Sequence, residues 1–144
     1  MKRLLIALLT VAVVGIGAYF AKDLAQPVPL RIPALGIEVE CEVVLVPTSE
    51  NLQAVVDRRN TAAWYGDFIL DHAGQEFNGL WNIKYGNEVI FGDRQYTYAF
   101  TATGRSDSGL QPKDGVLPKA DLYLCTCVPG GAEYEIYIIG INKK

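Results

Sequence analysis

The chain has 144 residues, half of them hydrophobic, with 13 basic side chains against 16 acidic ones, one histidine and a formal net charge of −3. This length favours one domain, and with no basic block beyond the N-terminus the chain offers no phosphate-binding surface, which argues against nucleic acid as a partner. The three cysteines, Cys41, Cys125 and Cys127, leave at least one thiol unpaired, and none of their spacings is the Cys-x-x-Cys of a zinc site.

Met1-Lys2-Arg3 precedes an uncharged apolar run over residues 4–20, with Lys22 and Asp23 just beyond. As a helix the run would span about 25 Å, near the lower limit for a bilayer core of about 30 Å. The charges before it put the N-terminus in the cytoplasm and export the rest. Gly15-Ile16-Gly17 offers small residues of the kind a signal peptidase accepts. No Ala-x-Ala site stands out, so a retained anchor is the favoured reading. The expected division is residues 1–26 as anchor and linker and residues 27–144 as the exported domain.

In the exported part, Ile37, Val39, Cys41 and Val43 alternate with Glu38, Glu40 and Glu42. That is a strand with one wet face, and it makes Cys41 a small core residue. The glutamates and Asp114 form no recognisable metal-ligand pattern and read as solvated charges. Pro47–Glu50 is a break in which Thr48 or Ser49 caps a short helix over residues 51–59, with Leu52, Val55 and Val56 inward. Residues 60–65 lead into a buried strand, 68–70, that ends at Asp71-His72. A turn or short helix follows at 77–81, a turn at 84–88 and a strand at 89–91. Gly92-Asp93 reads as a hairpin turn before a strand at 95–103 in which Tyr96, Tyr98 and Phe100 alternate. Residues 106–118, rich in Gly, Pro, Ser and Asp, form a loop. Two last strands lie at 122–127 and 134–141. Many short strands with little helix make an all-β barrel or sandwich.

Leu-Tyr-Leu-Cys-Thr-Cys, residues 122–127, runs straight into Val-Pro-Gly-Gly. A thiol at a strand end beside a turn is open to a substrate, and a thiolate is the nucleophile of acyl transfer. Cys125 has the same strand parity and reads as its structural neighbour. His72, the sole histidine, also ends an apolar strand and can exchange a proton with a thiol and a leaving amine. Asp71 points to the opposite face and is a weak candidate to orient the ring. If Cys127 and His72 are one site, sulfur and ring approach within about 3–7 Å.

Five segments in order carry a resemblance: Ile-Pro-Ala-Leu-Gly-Ile, Asn-Thr-Ala-Ala-Trp-Tyr, Ile-Leu-Asp-His-Ala-Gly-Gln-Glu-Phe-Asn-Gly-Leu, Lys-Tyr-Gly-Asn-Glu-Val and Leu-Cys-Thr-Cys-Val-Pro-Gly-Gly. Together they resemble the sortase family over residues 30–141, closest to members with an Asp-His-x-x-Gln-x-Phe segment. The resemblance implies a closed barrel of about eight strands with one or two short helices, behind an N-terminal transmembrane helix. It implies Cys127 as nucleophile and His72 as general acid; no cofactor is expected, and no metal, because the acidic residues form no ligand pattern. The substrate would be a C-terminal sorting signal of the LPxTG kind on a secreted protein. The thioacyl enzyme would be resolved by an amine of a cell-wall precursor or a pilin, on the outer face of a Gram-positive membrane. The sequence departs from the family at one place: counting from Thr126-Cys127, Glu135 stands where an arginine is expected, and no arginine follows Arg105. Arg94, Arg105, Tyr134 and Tyr137 are the side chains left to serve as donors. Two alternatives stay open: a degenerate sortase-like module that binds a peptide or cell-wall partner without turnover, and a cysteine peptidase in which water ends the reaction.

Overall fold

The computed structural model describes residues 26–108 and 110–144. The expected transmembrane segment at residues 4–20 lies outside the described residues, and no helix among these is long and apolar enough to cross a membrane.

Among the described residues there are nine strands and one α-helix, besides three short 3-10 turns: β1 (Val28–Ile32), β2 (Ile37–Val43), α1 (Ser49–Val56), β3 (Thr61–Tyr65), β4 (Phe68–Leu70), β5 (Glu88–Phe91), β6 (Arg94–Arg105), β7 (Gln111–Pro112), β8 (Leu122–Cys127) and β9 (Glu135–Lys143). Their order, β5-β1-β2-β3-β4-β8-β9-β6, closes because β5 also pairs with β6, and β7 adds two residues to the far end of β6. The result is an eight-stranded closed barrel with one α-helix. Closure removes the exposed sheet edges that an open sheet of this size would leave.

The alternation predicted for β2 holds. Ile37, Val39 and Cys41 are buried, whereas Glu38 and Glu40 are exposed. The barrel interior is filled from every main strand, by Leu30, Ile32, Val39, Ile69, Phe77, Leu80, Val89, Leu124, Ile139 and Ile141 among others. Helix α1 covers the outside of β3, with Leu52, Val55 and Val56 packed on Val44 and Ala63. Thr48 caps it by accepting the Asn51 N–H at 3.1 Å. The helix stops three residues earlier than its apolar spacing suggested, because Asp57 and Arg58 have no core to face.

A second apolar cluster lies on the outer wall. Tyr123, Cys125, Ile136 and Ile138 are buried there under Leu110, Leu117 and Ala120 of the loop before β8. The Tyr123 hydroxyl pins that loop, donating to the Pro118 carbonyl and accepting from the Ala120 N–H, both at 3.0 Å. Strand β8 is therefore buried on both faces, Leu122 and Leu124 inward and Tyr123 and Cys125 outward.

Three strands escaped the sequence reading. Val28–Ile32, for which no strand was expected, is β1. Residues 61–65, read as a lead-in, are β3, which runs parallel to β2. Gln111-Pro112, read as loop, is β7. The single-face reading of Tyr96, Tyr98 and Phe100 also fails. The β6–β9 register slips between Tyr98 and Phe100, so Tyr96 and Tyr98 face the interior while Phe100 joins the outer cluster. A bulge of this kind inverts the parity of everything after it. Gly140 makes room for the displaced ring: a β-carbon there would lie 2.2 Å from Phe100 Cε1.

Candidate active site

Strands β4 and β8 run parallel, with Leu70 beside Cys125. The Asp71 N–H continues the ladder, donating to the Cys125 carbonyl at 3.1 Å. Two residues beyond the paired Leu70 and Cys125, the chains reach His72 and Cys127. Neighbouring strands lie about 4.8 Å apart and side chains keep their face every second residue. The two candidates thus leave adjacent strands at one end of the barrel, on its outer side. Cys127 is exposed and His72 is partly so.

The other thiols lie elsewhere. Cys41 is fully buried in the barrel, and burial, then the charges of Glu40 and Asp71, push its thiol far up. Cys125 is buried in the outer cluster, where desolvation does the same. A thiol held in its protonated form is a poor nucleophile. Cys125 is therefore a structural neighbour of Cys127, as its strand parity suggested.

The imidazole is held from the helix side. Its Nε2 lies 3.2 Å from Asp57 Oδ1 and 3.0 Å from Gln53 Nε2, and Gln53 Nε2 donates to the same Asp57 oxygen at 2.5 Å. Asp71 does not reach the ring; its Oδ1 accepts the His72 backbone N–H at 2.8 Å. Sequence reading missed Asp57 and Gln53, which come from the end of a short helix and meet His72 only through the packing of α1 on β3.

Behind the site is a buried polar floor. Asp71 is 4 % exposed, and Asp71 Oδ2, Glu76 Oε2, Gln75 Oε1 and Thr126 Oγ1 have no partner among the described residues. Burial, then the charge of Glu76, raise Asp71 from 3.8 to about 7, against the lowering effect of the His72 backbone N–H. A proton on Asp71 relieves the repulsion between its carboxyl and the charge of Glu76. Below pH 3.8 both the folded and the unfolded chain hold the Asp71 proton. Between about 4 and 7 only the folded chain does, so this contribution to stability is full in acid and lost as pH rises through 7. Asp71→Asn keeps the acceptor for His72 and stays neutral at every pH, so it no longer has to release a proton beside Glu76. It is expected to raise the melting temperature at pH 8 by about 5 °C or more, with little change at pH 4. Thermal melts at the two pH values decide this, and equal shifts at both would exclude a raised Asp71 carboxyl.

The register around Cys127 changes the reading of the missing arginine. Cys127 is paired with Ile136, not Glu135. Ile136 shares the face of Cys127 and is buried in the outer cluster. Glu135 turns to the β8–β9 loop, where its carboxylate accepts the Ala132 N–H at 3.0 Å and lies 3.4 Å from Lys113 Nζ. Those two contacts, the Ala132 N–H foremost, hold it below the usual carboxylate range. Among the alternative donors, Arg94 lines a cavity of about 380 Å³ with Trp64, Phe91 and Asp121 at the other end of the barrel. Arg105 is bound bidentately by Asp107 at 2.7 and 2.9 Å. Tyr137 stacks on Trp81 with ring centres 6.1 Å apart. Tyr134, exposed at a φ of 65°, is raised by a hydrogen bond with Glu133.

No protein-family model and no curated protein matches the chain. Solved structures do. Sortase E1 from Streptomyces coelicolor, crystallised with a tripeptide in its active site, superposes with a TM-score of 0.63 at 17% identity, over 84% of this chain and 89% of that one. The fold is that of the sortases. Sortase A of Listeria monocytogenes gives a TM-score of 0.58 at 13% identity, covering 83% of this chain and 88% of its own. Sortase C of Streptococcus pneumoniae gives 0.57 at 19%, covering 83% and 69%. At these identities the likeness is one of backbone architecture. The closed eight-stranded barrel is thus sortase-like in its architecture.

Proposed function

We propose that the chain is an exported, membrane-anchored cysteine transpeptidase of the sortase kind, with Cys127 as nucleophile and His72 as general acid. The observation that carries this reading is the parallel β4–β8 ladder. It delivers the sole histidine and the exposed thiol to one end and one face of a sortase-fold barrel, while the other two thiols are buried. The Cys127 sulfur attacks the carbonyl carbon of a sorting-signal peptide of the LPxTG kind. A carbon–sulfur bond forms, the carbon–nitrogen bond breaks, and the leaving amine takes a proton from His72. An amine of a cell-wall precursor or pilin then attacks the thioester, gives up a proton and releases Cys127. Residues 4–20 hold the domain at the outer face of the membrane.

The full chain, incubated with a panel of LPxTG-like peptides and an amine, is expected to show a peptidyl thioester on Cys127 by mass spectrometry. Its absence with every peptide, while Cys127 still reacts with iodoacetamide, would end this reading. The ratio of transfer to hydrolysis separates a transpeptidase from a peptidase.

One observation favours a second reading, a sortase-like module that binds a peptide or cell-wall partner without turnover. The side chain across from Cys127 is the apolar Ile136, and Glu135 is committed to the loop. No guanidinium therefore stands beside the thiol on that strand, and the loss of one oxyanion donor typically costs about 2.7–4 kcal/mol. Peptide binding with no thioester is the result this second reading expects.

A further inference from the structure

We propose that Asp57, at the C-terminal end of α1, is the positioning residue for His72, so that the site works as a cysteine–histidine–aspartate arrangement in which Nε2 carries the ring proton held by Asp57 and Nδ1 faces the thiol and substrate. The inference rests on His72 being the residue that exchanges protons with Cys127.

Three observations carry it. First, His72 Nε2 and Gln53 Nε2 converge on one carboxylate oxygen, Asp57 Oδ1, at 3.2 and 2.5 Å. A ring lone pair aimed at a carboxylate oxygen at that distance is repelled, whereas an N–H there makes a charge-assisted hydrogen bond. Gln53 Nε2 lies 3.0 Å from the same ring nitrogen, but its amide donates to Asp57, and the full charge of the carboxylate outweighs the amide dipole, so the neutral ring carries its hydrogen on Nε2 and leaves Nδ1 with a free lone pair. Second, Asp57 is the C-cap of α1, whose last turn holds no basic residue. A carboxylate at a helix C-terminus opposes the helix dipole. The neighbouring cation, Arg58, is turned away to Glu42 at 2.6 Å and to the Ala54 carbonyl at 3.2 Å. What remains within reach of Asp57 is the imidazole and Gln53. Third, Asp71, the acid adjacent to His72 in sequence, is spent on the backbone N–H and faces inward. The helix, not the strand, supplies the carboxylate that fixes the ring.

In the acylation step the charged ring gives its Nδ1 proton to the leaving amine and keeps its Nε2 hydrogen on Asp57. Asp57 touches no reacting atom. It sets which nitrogen faces them.

A single histidine makes this measurable without a substrate. In the full chain labelled with nitrogen-15 histidine, the ring nitrogen shifts at high pH report the proton's position on one residue. The Nε2–H form is expected to predominate in the native protein. Asp57→Ala is expected to spread the proton over both nitrogens, with the fold intact by circular dichroism, and Asp57→Glu to restore the native pattern. A native ring protonated mainly on Nδ1, or an Asp57→Ala spectrum unchanged from native, overturns the proposal. Where transfer is observed, Asp57→Ala should lower kcat about fivefold with KM within about twofold, the size expected of a partly exposed pair. A spectrum as expected with no thioester on any peptide would refute the transpeptidase reading and leave the ring assignment standing.

Discussion

Cys127→Ala is expected to abolish thioester formation and to lower transfer by at least about 10³-fold, since a covalent route has no substitute once its nucleophile is gone. Cys125→Ala is expected to leave transfer within a few-fold of native. The two thiols share strand, parity and face, so sequence alone barely separates them. Their surroundings do: Cys125 is 2 % exposed among Tyr123, Ile136 and Ile138, with its thiol pushed up by burial. Cys127 has left the covered part of the wall, where the strand gives way to Val128-Pro129. Iodoacetamide labelling of the native chain, read by peptide mapping, should modify Cys127 and spare Cys41 and Cys125 until the protein is unfolded. Labelling of Cys125 at a comparable rate in the folded protein would contradict this account of the wall. So would transfer that survives Cys127→Ala and is lost in Cys125→Ala.

Phe77→Ala is expected to lower stability by about 3–5 kcal/mol, the usual cost of emptying a fully buried aromatic site. Phe77 has no exposed surface and joins the barrel core although it belongs to a segment of turns. That segment, residues 73–79, leads away from His72. The Phe77 ring, packed in the barrel core, ties the loop that follows the histidine to the interior. Against a total of about 5–15 kcal/mol for a domain, such a loss moves the melting temperature by roughly 10–20 °C. Val116→Ala, at a side chain 89 % exposed, should change stability by less than about 0.5 kcal/mol. Urea unfolding of both variants is the measurement. A cost below about 1 kcal/mol for Phe77→Ala would show the segment to be peripheral.

The strands that could be read from sequence share one property: a face that is dry along its length. Ile37–Val43 alternates cleanly, Phe68–Leu70 is short and wholly apolar, and Leu122–Cys127 is apolar because it is covered on both sides. Those that could not be read lack that signature. Thr61–Tyr65 holds two alanines and a tryptophan whose burial comes from α1 outside and the barrel inside. Gln111-Pro112 is a strand because β6 is longer than β5 and leaves edge positions to be paired. The bulge after Tyr98 leaves no mark in composition, and it alone decides which aromatic faces the core.

The same division runs through the site. Cys127 and His72 could be named from chemistry and strand-end position, because a scarce residue at the mouth of an apolar run is a local feature. Three other things were not local. Ile136 rather than Glu135 stands across from Cys127, because cross-strand register follows from the length and hydrogen bonding of the 128–134 loop. Asp57 and Gln53 reach the ring because α1 lies over β3 and ends beside β4. Asp71 feels the charge of Glu76 because the chain reverses between them.

By itself the sequence determined an all-β domain, its principal strands and the burial of Cys41, and it singled out residues 72 and 127 as candidates. Periodicity and residue type act over a few positions and survive in one dimension. The tertiary structure alone decided which side chain opposes the thiol, which carboxylate holds the imidazole, and which acid lies buried beneath it. Each of those depends on the distance between segments far apart in the chain, a quantity that exists only once the barrel has closed.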